Sequence, residues 1–288
     1  MSKRKALGQH FLVNPSVLKK IIEVISPQKD ELIIEIGAGK GVLTFPLAER
    51  CSKVIAIEKD KSLIPFLQEK KRDNVVVLDQ DVLKINFRDL LKKEPSFKGN
   101  VKLAGNLPYV ISSPLLFRVL EAKDLFAACI FLLQKEVAER IIAQPGSKKY
   151  APLSIFFQMD YETYLHLTIA PGSFSPPPQV QSALISLKRR ADPLFPVKNE
   201  TLFRSFLRTA FAQRRKTLLN NLKSSPFPLP LIKHALARLS LEENVRAEQV
   251  SIAQFVSLFE FLSGSFPEVF RHITKPSKST TQGGDRSR

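Results

Sequence analysis

Residues 31–41 read Glu-Leu-Ile-Ile-Glu-Ile-Gly-Ala-Gly-Lys-Gly, and this stretch decides the fold. An apolar run of strand length passes straight into three alternate glycines, Gly37, Gly39 and Gly41, and the next residues, Val42 to Arg50, carry helical spacing. Glycines let a backbone approach a ligand closely, and the free N–H groups at the start of a helix face it. The motif therefore marks a nucleotide-like ligand at the end of a strand. A phosphate-binding Walker loop is excluded, because Val42 follows Gly41 where Gly-Lys-Ser/Thr would be needed. Glu58 closes the next apolar run, 21 residues after Gly37, where an acidic side chain takes ribose hydroxyls in such folds. Alone, this pair fits either a dinucleotide or S-adenosylmethionine.

Outward from that motif, short apolar runs alternate with helical segments. The candidate strands are ELIIEIG, KVIAIEK, NVVVLD, VKLAGNL and ACIFLL; the helices between them fall at 42–50, 62–72 and 113–121. Alternation of this kind builds a parallel, doubly wound sheet with helices on both faces. After Gly146 the texture changes: APLSIFFQM reads as a helix, and YETYLHLTI and VQSALISLK read as antiparallel neighbours joined by a long loop containing Pro171, Gly172 and Pro176-Pro177-Pro178. Beyond Lys188, RRADPLFP looks like a junction, and residues 200–266 carry the apolar period of a small helical bundle. The expected organisation is a ligand-binding α/β domain over 1–188, an all-α domain over 189–272, and a tail over 273–288 with too little apolar surface to bury.

The composition, 44% hydrophobic and 25% charged over 288 residues, is that of a globular chain. Its net charge of +17 points to a polyanionic partner. Residues 188–288 hold 18 Lys/Arg against 8 Asp/Glu and are the more basic part per residue. The longest apolar run, Leu125 to Leu133, is far shorter than the roughly 20 residues of a membrane span, so no membrane association is expected. Cys51 and Cys129 fit no metal-ligand spacing and read as reduced core thiols, which makes the cytoplasm the expected compartment; no metal site and no dimerisation stripe is expected, hence a monomer.

Two further motifs carry chemistry. Asp81, after the third strand, is placed to accept a hydrogen bond from an adenine amino group; its alternative use is a turn cap. The fourth strand ends in Asn106-Leu107-Pro108-Tyr109, which suits methylation of an exocyclic amine. Such an amine is a poor nucleophile because its lone pair is delocalised into the base ring. Acceptors on the Asn106 side chain and the Pro108 backbone carbonyl would favour a pyramidal nitrogen and aim its lone pair at a methyl donor, while Tyr109 offers a stacking face for an extracted base.

The series GQHFL, EIGAGKG, AIEKD, QDVL, NLPY and FSPPPQVQSA resembles the ribosomal RNA adenine dimethyltransferases over nearly the whole chain, and most of all the bacterial branch that dimethylates two adjacent adenosines in a hairpin near the 3′ end of small-subunit (16S) ribosomal RNA. The resemblance implies a class I S-adenosylmethionine-dependent methyltransferase sheet, Rossmann-like, with a small all-α C-terminal domain. It implies S-adenosyl-L-methionine as cofactor and small-subunit ribosomal RNA as partner, within an assembling small subunit. It places His10 and Leu12 over the donor's methionine end and Gly37 beneath it, Glu58 on the ribose, Asp81 on the donor adenine, and Asn106 on both donor and target. Phe174 becomes the second aromatic of a base sandwich with Tyr109. This chain departs from the family in having His10 where Asn is frequent.

In the C-terminal part, Arg204, Arg208 and Arg215 are spaced by four and seven and form one helical stripe, with Phe203, Phe206, Leu207 and Ala210 on the other side. Continuous helix fails over 212–216, where Arg214 would otherwise point into the apolar face; a break there frees Arg214, Arg215 and Lys216 for phosphates. The FAQRRKTLLNNL string resembles the same bacterial branch. Three other functions remain open: a non-catalytic RNA-binding assembly factor on the same fold, an antibiotic-resistance methyltransferase acting on large-subunit RNA, and an NAD-linked oxidoreductase supported only by the glycines and Glu58.

Overall fold

The computed structural model describes residues 9–95 and 97–265. The chain divides between Pro196 and Val197 into two units. That division is later than the junction at 188/189 read from the sequence, because Leu194 N–H donates to the Met159 carbonyl at 2.8 Å and ties the intervening segment to the first unit. The tail expected over 273–288 lies outside the described residues.

The first unit is built on a seven-stranded sheet. Its strands in chain order are β2 (Leu32–Ile36), β3 (Lys53–Glu58), β4 (Val75–Asp79), β5 (Val101–Asn106), β6 (Ala128–Gln134), β7 (Tyr161–Ile169) and β9 (Ser182–Arg189), and their spatial order is β4-β3-β2-β5-β6-β9-β7. The first five are mutually parallel, while β9 runs antiparallel to both β6 and β7. A separate two-stranded ribbon joins β1 (Phe11–Leu12) to β8 (Phe174–Ser175), with Leu12 opposite Phe174. The helices are α1 (Pro15–Ile25), α2 (Thr44–Ala48), α3 (Ile64–Glu69), α4 (Phe87–Lys92), α5 (Ser112–Glu121), α6 (Lys135–Ile142) and α7 (Pro152–Asp160). Among the described residues no helix is long and apolar enough to cross a membrane.

The chain order reverses between β2 and β5: β3 and β4 extend the sheet on one side, β5 and β6 on the other. Loops leaving β2 and β5 must therefore part, which opens a crevice beyond their C-terminal ends. Every residue of β2 is buried, as a strand covered on both faces requires. Gly105 fits the contact between these strands. A Cβ there would stand 2.4 Å from the Ile36 carbonyl oxygen, a main-chain atom that cannot rotate away.

The second unit packs α8 (Glu200–Ala210), α9 (Leu218–Leu222), α10 (Leu229–Arg238) and α11 (Ile252–Ser265). Phe203 and Phe206 of α8 meet Phe259 of α11 with ring centroids 5.3 and 5.6 Å apart, inside the usual range for aromatic pairs. Asn199 caps α8 by accepting from Leu202 N–H at 3.0 Å. The helix ends at Ala210. Arg204 and Arg208 therefore share a helical face as expected, but Arg215 does not join their stripe, since it lies past the helix end.

The Gly105 contact carries a testable cost. Gly105→Ala should lower the unfolding free energy measured in urea by at least the roughly 1–3 kcal/mol typical of an overpacked core, because the atoms nearest the new methyl all belong to the Ile36 backbone.

Candidate active site

Three cavity regions merge beyond the ends of β2, β3 and β5. The largest holds about 700 Å³ free of protein atoms and is bounded by Gln9, Gly37, Glu58, Asp81, Pro108 and Ile111. A second reaches down to Glu35 past Gly39, Gly105 and Asn106. The third lies under His10 and Tyr109. Gly37 is common to all three, and it, Gly39 and Gly41 have φ values of +70°, +60° and +80°. In that left-handed region a side chain is strained, so the turn can coil tightly only as a glycine turn.

Glu58 holds this turn in place. Its Oε2 accepts Gly39 N–H at 2.8 Å, and its Oε1 accepts Lys59 N–H at 2.9 Å and Asp60 N–H at 2.8 Å. The side chain is 4% exposed, so the carboxylate organises main-chain donors with little help from water. Asp81 also serves its own chain: Oδ1 caps the turn Val82–Lys84 through Leu83 N–H at 3.0 Å, and Oδ2 pairs with Lys59 Nζ at 2.8 Å. The Lys59 hydrogen bond is the first cause that holds the Asp81 carboxyl below its ordinary pKa.

Asn106 ends β5 facing the N-terminal segment. Its Nδ2 donates to the main-chain carbonyl of His10 at 2.8 Å. That bond orients the amide and leaves Oδ1 as the acceptor on the other side. It also accounts for a histidine at position 10, because the contact is made by the backbone. The His10 imidazole instead meets the Pro176 carbonyl through Nδ1 at 2.7 Å, and since a carbonyl only accepts, Nδ1 carries the proton. Tyr109 is pinned through its hydroxyl to the buried Ser182 Oγ at 2.7 Å, and burial raises its pKa.

Two expectations are corrected here. The Pro108 carbonyl already accepts Ile111 N–H at 3.0 Å and the Ser112 hydroxyl at 3.2 Å, so its two lone pairs are used by its own turn and it offers no free acceptor to an amine. Phe174 is 3% exposed and sits in the core with Leu12, its partner across the β1–β8 ribbon, so its ring has no open face. The aromatic ring beside Tyr109 is His10, with centroids 5.5 Å apart and planes tilted by 34°.

The sequence reading missed four groups. Glu35, midway along β2, is 2% exposed and receives the Thr44 hydroxyl on Oε2 at 2.5 Å; burial is the main cause that pushes its carboxyl up to about 8. An acid in the middle of the apolar run LIIEI was the available signal. Ser182, the anchor of Tyr109, had none, because the pairing spans 73 residues. In the second unit, Asn221 donates through Nδ2 to the carbonyls of Ala210 and Gln213 and accepts Gln213 N–H on Oδ1. This buried amide closes the chain break after α8, and Arg214, Arg215 and Lys216 are exposed on the loop it holds. Gln9 is the fourth: its Oε1 is buried at the cavity without a hydrogen-bond partner.

Similarity to known proteins fixes the family. The family model described as ribosomal RNA adenine dimethylase matches residues 1–263. The chain belongs to that family. A relative from Geobacter metallireducens, named ribosomal RNA small subunit methyltransferase A, is 42% identical over 259 residues, covering 88% of this chain and 94% of the relative. One of the same name from Clostridium botulinum is 41% identical over 256 residues, covering 88% and 92%. Among solved structures, a dimethyladenosine transferase from Plasmodium falciparum superposes with a TM-score of 0.74 at 25% identity, covering 91% of this chain and 98% of that one. The 23S rRNA methyltransferase ErmE, at 23% identity and a TM-score of 0.68, shares the fold. Membership confirms the expected fold, a Rossmann-like methyltransferase sheet with a helical C-terminal part. The oxidoreductase alternative falls with it.

The Glu35 carboxyl predicts a pH dependence of stability. Its pKa is higher folded than unfolded, so between about pH 5 and 8 the unfolded chain ionises while the folded one keeps its proton. Stability should then fall with rising pH by up to about 1.4 kcal/mol per unit from this group. Urea unfolding of Glu35→Gln at pH 5, 6.5 and 8 should lack that component.

Proposed function

We propose that this protein transfers methyl groups from S-adenosyl-L-methionine to the N6 amino groups of two adjacent adenosines in a hairpin near the 3′ end of small-subunit ribosomal RNA, acting as a cytoplasmic monomer on an assembling small subunit. The observation that carries the chemistry is Asn106, a residue of the cavity wall whose Nδ2 is held by the His10 carbonyl, which leaves Oδ1 as the acceptor of the amide. The small-subunit assignment rests on the names of relatives at 41–42% identity and on the FAQRRKTLLNNL segment. The same relatives weigh against the large-subunit alternative, whose structural match is one of fold.

The residues present fit the donor. The positive-φ glycine turn makes room for backbone approach, and Glu58 retains one lone-pair site on Oε2. Gly37, Glu58, Asp81, Leu12 and Asn106 would hold it. When bound, it supplies an electrophilic methyl group on a positively charged sulfur. The protein's part is positioning: Asn106 Oδ1 accepts a hydrogen from the target amine and turns its lone pair toward the donor side, and Tyr109, tethered by Ser182, offers its ring to the base. Stacking contributes roughly 1–3 kcal/mol per base, which offsets part of the cost of extraction. The His10 ring, 5.5 Å from that of Tyr109, is the other aromatic group at this end of the cavity. Arg204, Arg208, Arg214, Arg215 and Lys216 would meet RNA phosphates.

Asn106→Ala should leave RNA binding within a few-fold of the unaltered protein and slow transfer about a hundredfold, as expected for losing one preorganised polar group. The second transfer should suffer more, since a monomethylated nitrogen has one hydrogen left to hold. Single-turnover reactions on immature small subunits, resolved by mass, should show mostly monomethyladenosine; wild-type dimethylation would overturn the role.

Replacing Arg214, Arg215 and Lys216 with Ala should lower RNA affinity and reduce the log–log salt slope by roughly 0.7–0.9 for each phosphate no longer neutralised. Calorimetric affinity for S-adenosylmethionine should stay the same. An unchanged slope would make this loop an ordinary solvated surface.

A further inference from the structure

We infer that Lys40 and Phe66 form a binding surface at the cavity rim for a nucleotide beside the target adenosine, with Phe66 stacking on its base and Lys40 meeting a phosphate. The assignment rests on the RNA substrate proposed above, and it names the part of the first unit that holds the strand outside the cavity.

Phe66 lies on α3 and Lys40 in the glycine turn. The Lys40 ammonium stands 5.9 Å from the centroid of the Phe66 ring and 5.9 Å from that of Phe11. Both distances are at the outer limit at which a cation is drawn to a ring face. Among the described residues Lys40 forms no ion pair, so its charge is left to water and to these two rings. Phe66 itself is 49% exposed. A lone exposed apolar side chain is ordinary on a protein surface. What distinguishes Phe66 is the unpaired cation beside it. An open aromatic face next to an unneutralised cation is the means by which single-stranded nucleic acid is gripped, since every base has a flat face to stack and every nucleotide a phosphate to neutralise. The segment that carries Phe66 adds to the charge, with five Lys/Arg against two Asp/Glu over residues 59–72.

Position ties the pair to the reaction. Lys40 and Phe11 border the cavity region that also contains Gly37 and Asn106. A strand that delivers one base into the cavity must pass its neighbouring nucleotides over the rim, and Lys40 with Phe66 makes up a stretch of that rim. An acidic protein surface would answer the charge alone, whereas a nucleotide answers both the charge and the ring.

The test compares the unaltered protein with Phe66→Leu, which keeps the apolar bulk and removes the flat face, and with Lys40→Gln, which removes the charge. Phe66→Leu should bind immature small subunits about tenfold more weakly, as expected for one lost base stack. Lys40→Gln should reduce the log–log salt slope of that binding by roughly 0.7, the value for one phosphate of a single strand. Calorimetric affinity for S-adenosylhomocysteine should be unchanged in both variants, which also verifies that they fold. Ultraviolet irradiation of the unaltered protein on immature subunits, followed by tryptic digestion and mass spectrometry, should link the peptide 62–70, which contains Phe66, to an RNA nucleotide. Affinity and slope equal to those of the unaltered protein, or a peptide 62–70 joined to a ribosomal protein instead of RNA, would overturn the surface. So would a loss of S-adenosylhomocysteine affinity in Lys40→Gln, which would move that residue to the donor site. Failure of the unaltered protein to bind immature subunits at all would instead overturn the RNA reading on which the surface rests.

Discussion

The close run of β2 beside β5 is the constraint on which the site depends. At Gly105 the two backbones stand too near for any side chain between them, and that approach sets Gly37 at the end of one strand next to Asn106 at the end of the other. One strand delivers the glycine turn and the other the amide. Since the sheet order reverses between them, a crevice opens beyond, and the N-terminal segment lines its rim through the Asn106–His10 bond. A wider strand pair would separate the ligand cradle from the group that orients the acceptor.

Several residues here do structural work in the free protein that a purely chemical reading would miss. Glu58 is a carboxylate with three main-chain donors, and its charge helps to hold the glycine turn before any ligand arrives. Asn106 divides its amide, using the donor for the fold and keeping the acceptor. The Pro108 carbonyl is taken up by its own turn, which on the function proposed above concentrates the task of holding an amine on Asn106. Such prior engagement removes reorganisation from the reactive step, because polar groups fixed beforehand need not be turned at the moment of transfer.

Much of this was legible along the chain. The five parallel strands and the helix at 113–121 were readable because their apolar periods are local, and the glycine turn, Glu58 and NLPY because each sits at a strand end. Helices α1, α4 and α6 and the β1–β8 ribbon went unread. The ribbon pairs segments more than 160 residues apart, and its two-residue strands leave no period. Phe174 shows the limit most clearly. Its motif was recognised, yet its burial depends on Leu12 arriving from the other end of the chain. Gln9 and Ser182 are of the same kind: nothing local separates a cavity-lining Gln or a tyrosine-anchoring Ser from any other polar residue.

The helical unit is held together differently. The apolar faces of α8 and α11 are secured by packed phenylalanines, so the chain after Ala210 can leave the helix without loosening the bundle. What it needs is a partner for the groups the helix end exposes, and Asn221 supplies one, taking the Ala210 carbonyl and both main-chain groups of Gln213. The cationic loop is thereby closed by a neutral, buried amide acting on main-chain atoms. No charge takes part in that closure. A closure made by a neutral amide on main-chain atoms is not screened by salt as an exposed ion pair would be, so the loop after α8 keeps its form over a wide range of ionic strength.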